Sequence, residues 1–195
     1  MEKKNSNEIT VKIKGDINEF YNDIKNKGFK NIDHFNLDDT YFIPKDLKLE
    51  DMTTREILSK AVLIRQVTYD YKVVKLITFK KKEFDDKGNI LNQQNIECNI
   101  LDLNEAKKLL DAMGYKKIMR IVENDLVFRK DDVQFAVKDI VNGDKLIEME
   151  LFFNKSFDTL KQIEEKLKEL DLPVYTDNFF VKKAEIELDK ILKRS

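Results

Sequence analysis

The sequence predicts an α+β protein in which an antiparallel sheet of about eight or nine strands is backed by helices. Three observations predict it. Ala61 to Lys82 (AVLIRQVTYDYKVVKLITFKKK) alternates apolar and polar residues through two strand-length runs rich in β-branched and aromatic residues, with no Gly or Pro, the pattern of a long antiparallel hairpin. A strand-then-helix cassette recurs along the chain. In strand after strand, one parity is aliphatic and the other charged or amide-bearing.

Taken in order, Glu8 to Lys14 places Ile9, Val11 and Ile13 on one face and Glu8, Thr10, Lys12 and Lys14 on the other. Gly15 closes this strand. Asp16 caps a helix with the apolar stripe Ile17, Phe20, Tyr21 and Ile24, and Glu19 sits at the capping-box position. Gly28 stops the helix. The second cassette repeats the grammar: Glu97 and Asn99 share a strand face, Asp102 opens a helix with Glu105 three on, and Gly114 ends it. The two helix starts read DINE and DLNE, with the same spacing from Asp to Gly. In a third version Glu148 and Glu150 share a strand face, and a helix begins near Ser156 with Leu160, Ile163 and Leu167 on its stripe. Between the cassettes lie a strand at Asp39 to Ile43 stopped by Pro44, a polar excursion at Leu47 to Lys60, and a turn at Asp85 to Asn89. Strands follow at Ile118 to Val122, Leu126 to Lys130, Val133 to Val141 and Lys145 to Phe153, with turns at Asp131-Asp132 and Asn142 to Asp144. Residues 154–195 form a helical C-terminal part, interrupted at Pro173, within a single domain 1–195 built on an internal pseudo-repeat.

Composition narrows the function classes. Charged residues make up 37% of the 195, yet the net charge is −1, so no global field draws in nucleic acid or an anionic membrane and charge recognition must be local. There is no secretory h-region and no apolar run of membrane-spanning length, and the expectation is a soluble, cytoplasmic protein that binds neither nucleic acid nor membrane. Cys98 is the sole cysteine and is expected to be a small apolar filler, so no internal disulfide forms. One histidine and no CxxC argue against zinc. No phosphate-cradling Gly-rich loop, nucleophile elbow or RNP-type motif occurs.

The polar parity has two readings. It is the solvated side of an open, helix-backed sheet, or it lines the inside of a closed barrel, which would remove the sheet's edges. Alternation alone does not choose between them.

A particular order of motifs bears on that choice: Glu8-x-Thr10-x-Lys12, Asp39-Thr-Tyr-Phe, Ile64-Arg65, Ile77-Thr-Phe-Lys80, GYKK after a helix, and Glu148-x-Glu150. This order, from Glu8 to about Leu151, resembles the CYTH family of triphosphate tunnel metalloenzymes, which includes class IV adenylyl cyclases and thiamine or inorganic triphosphatases. The resemblance implies an antiparallel eight-stranded β-barrel with a polar lumen and helices packed outside. It also implies a small-molecule triphosphate ligand and a divalent cation, Mg²⁺ or Mn²⁺. It makes Glu8, Glu148 and Glu150 metal ligands, with Glu97 a further luminal acid. It places Lys12, Arg65, Lys80, Arg129 and Arg120 on phosphate, Arg120 under a shifted register, and makes Lys12 the candidate for activating a water. The chemistry suits these residue types. Lys and Arg match phosphate charge, Arg bidentately, and paired carboxylates supply the hard oxygens that Mg²⁺ and Mn²⁺ prefer.

Several positions depart from the family pattern. Thr10 and Asn99 stand where it has acids, Leu63 where it has an arginine, Glu123 and Asp125 where it has bases, and Lys138 where it has an acid. Two readings follow. The favoured one is a metal-dependent hydrolase of a triphosphate compound, with cyclisation of ATP less favoured because no nucleotide pocket is legible. The other is a catalytically impaired binder of a phosphorylated or polyanionic ligand. A homodimer is compatible with either.

Overall fold

The computed structural model describes residues 7–84, 90–151 and 153–193. Eight strands and five helices are present among them, the α+β class expected. The strands are β1 (Glu8–Lys12), β2 (Lys30–Pro44), β3 (Val62–Thr68), β4 (Val73–Phe84), β5 (Ile90–Asn99), β6 (Tyr115–Lys130), β7 (Val133–Ile140) and β8 (Lys145–Glu150). The helices are α1 (Ile17–Asn26), α2 (Thr54–Ser59), α3 (Leu103–Ala112), α4 (Leu160–Glu169) and α5 (Lys183–Leu192). The strands form one sheet in the order β1-β8-β7-β6-β2-β3-β4-β5.

The repeated cassette is visible in the caps. The Asp16 carboxylate accepts from the Asn18 and Glu19 amides at 2.8 and 3.2 Å, and the Asp102 carboxylate accepts from those of Asn104 and Glu105 at 2.7 and 3.0 Å. Each satisfies two of the amide donors that a helix start leaves over. Gly28 and Gly114 end these helices at φ +89° and +84°, backbone that a Cβ disfavours. The hairpin at Ala61 to Lys82 is β3 and β4, paired from Val62↔Phe79 to Thr68↔Val73.

Four local expectations need correction. The helix near Ser156 starts later: Thr159 and Gln162 form the capping box of α4, while the Ser156 hydroxyl donates to Asp132 at 2.6 Å. The strand at Asp39 to Ile43 is the end of a much longer β2, whose start is polar on both faces and carries no apolar period. Ile118 to Lys130 is one strand, because the polar Glu123-Asn124-Asp125 segment that reads as a break runs straight through β6. Cys98 is exposed rather than buried, since β5 ends the sheet order. The turn at Asp85 to Asn89 lies outside the described residues.

The chain divides into two compact units: Asn36–Val122 with Ala184–Ser195, and Asn5–Phe35 with Glu123–Lys183. In the first unit Phe42, Ile64, Ala106 and Leu110 form a core, with Val62, Ile77 and Leu103 packed on it. This core sets α3 against one face of β2 and β3. In the second unit a larger core gathers Ile9 and Val11 of β1, Phe128 of β6, Phe135 and Val137 of β7, and Ile147 and Met149 of β8. Phe20 and Ile24 of α1 and Ile163 and Leu167 of α4 close over that face. Each such side chain contributes roughly 1.5 to 3 kcal/mol through burial. Helices therefore hold one face of these strands dry, and strand alternation sends the charged parity to the other face.

Candidate functional site

In the second unit the face away from α1 and α4 carries a connected set of charges. Register assembles it. Thr10 lies opposite Glu148 and Glu8 opposite Glu150 across β1–β8. Lys138 lies opposite Asp125 across β6–β7 and opposite Leu146 across β7–β8. Glu123, Asp125 and Lys138 are nearly inaccessible to solvent, at 0%, 1% and 6% exposure, which only internal pairing makes tolerable.

Lys138 is the hub. Its Nζ donates to Asp125 Oδ2 at 2.9 Å and lies 3.2 Å from Glu148 Oε1 and 3.5 Å from Glu123 Oε1. Lys183, the first residue of α5, reaches Glu123 Oε1 at 2.6 Å. Burial alone would push the Lys138 amine down, but Asp125, Glu123 and Glu148 together outweigh it and hold its pKa well above the ordinary lysine value. Burial pushes the Asp125 carboxyl up to about 6 against the opposing pull of Lys138, with Glu123 adding to the rise. One Asp125 oxygen, Oδ1, is buried with no partner among the described residues.

Beside this hub, Glu8, Glu148 and Glu150 each present a carboxylate oxygen within 4.8 Å of the other two. All three are partly buried. Lys182 Nζ sits 3.0 Å from Glu8 Oε1 and also donates to the Glu8 carbonyl at 3.2 Å. Thr10, between Glu8 and Lys12 on the same face, is 1% exposed, and its hydroxyl has no hydrogen-bond partner among the described residues. Three convergent carboxylates and an unsatisfied buried hydroxyl form a hard-oxygen donor set, which fits Mg²⁺ or Mn²⁺ better than a soft metal. Lys12 pairs with Asp144 at 3.3 Å and lines a cleft of about 610 Å³ with Gly143, Lys145, Tyr175 and Asn178. Arg129, at the exposed end of β6, donates to the Gln134 side-chain oxygen.

The first unit has a sparser polar face. Arg65 grips Asp39 through two 2.8 Å contacts, and Asp39 is fully buried. Thr78 donates to the exposed Glu97 at 3.4 Å. Lys80, half-buried on β4, pairs across the strands with Asn95. Arg120 pairs with Asp38 at an exposed position. Neighbours on a strand face opposite ways, so Arg120, on Asp38, lies off the face where Arg65 meets Asp39. Leu63 is buried and apolar.

The second unit thus brings Glu8, Glu148, Glu150 and Lys12 to one face. Glu97 is not part of the carboxylate group. Sequence reading missed Lys182 and Lys183, because adjacent lysines ahead of a helix ordinarily read as solvated, and their roles depend on which strand ends they meet. It marked Glu123, Asp125 and Lys138 only as departures, although they are mutual partners.

No protein-family model matches the chain. A curated relative, the protein named "Putative adenylate cyclase MJ0240" of Methanocaldococcus jannaschii, is 24% identical over 185 residues, covering 93% of this chain and 97% of that one. Among solved structures, PH1819 of Pyrococcus horikoshii OT3 aligns with a TM-score of 0.67 at 18% identity, over 94% of this chain and 99% of that chain. HpAC1 from Hippeastrum, an adenylyl cyclase-like protein described as having a dominant triphosphatase activity, aligns with a TM-score of 0.55 at 12% identity, over 95% of each chain. The chain thus shares its fold with these proteins over nearly its whole length. Among the described residues, no helix is long and apolar enough to cross a membrane.

Proposed function

We propose that this protein is a CYTH-like, divalent-metal-dependent hydrolase of compounds bearing a linear triphosphate. The observation that carries the reading is the convergence of Glu8, Glu148 and Glu150 within 4.8 Å, on the strand face that also bears Lys12. These three carboxylates would hold the cation. When bound, the cation supplies charge neutralisation at the phosphate oxygens. Lys12, two residues from Thr10 and lining the cleft, would meet phosphate by exchanging its contact with Asp144, a partly exposed and therefore weak pair. Helices on the opposite face keep these strands rigid, so the carboxylates are preorganised. The partial burial of Glu148 strengthens its electrostatic interactions relative to bulk water.

The HpAC1 description favours hydrolysis over cyclisation. The test is phosphate release from inorganic triphosphate, ATP and thiamine triphosphate with Mg²⁺ or Mn²⁺. Turnover should require the metal and fall at least about 100-fold in Glu148→Gln, on the scale of removing a group that stabilises the transition state. A second reading, a binder without turnover, draws on the internal pairing of Lys138, which commits a cation of this face to carboxylates rather than to ligand. Ligand-dependent thermal stabilisation with no phosphate release would favour it.

A further inference from the structure

The arrangement around Lys138 resembles the coordination of a metal by its ligands. Three carboxylates from two strands, Glu123 and Asp125 of β6 and Glu148 of β8, converge on one ammonium at 2.9 to 3.5 Å. The group is buried, and removing that positive charge would leave carboxylates facing one another without solvent. Glu148 is shared, because it also belongs to the carboxylate group with Glu8 and Glu150. The hub and the candidate metal centre are therefore adjacent cation positions with a common ligand.

Two further ammoniums meet the same carboxylates, Lys182 at Glu8 and Lys183 at Glu123.

Building on the metal-centre reading above, we propose that Lys138 is a tethered cation standing where a second metal ion would otherwise be held, so that this face binds one divalent ion, at Glu8, Glu148 and Glu150. In such a centre Lys138 orients Glu148 through Oε1 and is a positioning residue, not a catalytic one.

The experiment is titration of the full chain with Mn²⁺, reading free ion by electron paramagnetic resonance and stoichiometry by calorimetry. The wild-type chain should bind one ion. Lys138→Ala, which opens the hub, should bind two, and Lys138→Arg should return to one. Should Lys138→Ala fail to fold by circular dichroism, the triple variant Glu123→Gln, Asp125→Asn, Lys138→Met neutralises the hub's two β6 carboxylates together with its ammonium and should bind one ion. Two ions on the wild-type chain, two on the triple variant, or one on a folded Lys138→Ala chain would each overturn the inference while leaving the metal centre intact. No ion on the wild-type chain would instead sink the metal-centre reading and this inference with it.

Discussion

The two units start from one grammar and end with different polar faces. Both contain a strand leading to an Asp-capped helix stopped by a glycine, with closely matching cap distances. Yet the second unit ties several carboxylates and lysines into one network, whereas the fully buried carboxylate among the described residues of the first, Asp39, meets Arg65 in a two-residue pair. The difference teaches that what the units share is what backbone geometry demands, a cap and a stop. The side chains that alternation turns away from the helix-packed cores were free to diverge. A capping aspartate answers to local amide donors. A buried charge answers to whatever the neighbouring strands present, so a change at one strand requires a change at the next.

The comparison can be broken most forcefully at Lys138. Lys138→Met should cost about 3 to 5 kcal/mol by urea denaturation at pH 7, because it strands buried carboxylates without their ammonium. A loss below about 1 kcal/mol would mean that the hub is solvated and the two faces are not different in kind. In the first unit, Arg65→Met removes the two-point contact to the fully buried Asp39 and should cost about 3 kcal/mol in the same assay. Asp39→Asn in that background should recover part of the loss, which a merely volumetric effect of the arginine would not permit.

The hub should also reveal itself in pH dependence. The Asp125 carboxyl is raised from 3.8 to about 6 in the folded chain. The folded state therefore binds its proton more tightly than the unfolded state, and this group's contribution to stability falls as pH rises from about 4 to 6. The groups facing it are Lys138, Glu123 and Lys183. Relative to Asp125→Asn, the wild-type chain should lose roughly 2 to 3 kcal/mol over that window. A flat difference would show that Asp125 is ionised throughout, with Lys138 offsetting burial completely. The smallest effect is expected at Arg120. Its pair with Asp38 is exposed, so Arg120→Ala should change stability by less than about 1 kcal/mol and leave triphosphate turnover unaltered. A large drop in turnover would restore Arg120 to the phosphate-contacting set.

Much of this was legible before any tertiary structure. The β3–β4 hairpin, both aspartate caps and the pairing of Glu148 with Glu150 on one face follow from period-two and period-3.6 patterns, which depend on neighbours in sequence. Where local reading failed, distant partners decide. The segment Glu123-Asn124-Asp125 reads as a break between two strands because carboxylates avoid strand interiors, yet it is strand, and Lys138 on β7 and Lys183 receive its charges. Arg120, like Arg129, reads as a substitute under a shifted register for the bases missing at Glu123 and Asp125, but alternation along a strand decides which way a guanidinium points, and a displacement by an odd number of residues reverses it.

Sequence by itself determined the class, the strand and helix order, the capped cassettes and a polar parity rich in both charge signs, since these rest on local periodicity and cap chemistry. Tertiary structure alone decided which charges become partners. It made Lys138 the common neighbour of Glu123, Asp125 and Glu148, brought Lys182 to Glu8, and drew Glu8, Glu148 and Glu150 within 4.8 Å. The reason is physical: the energy of a buried charge depends on the few ångströms around it, and those are filled from strands far apart in the chain.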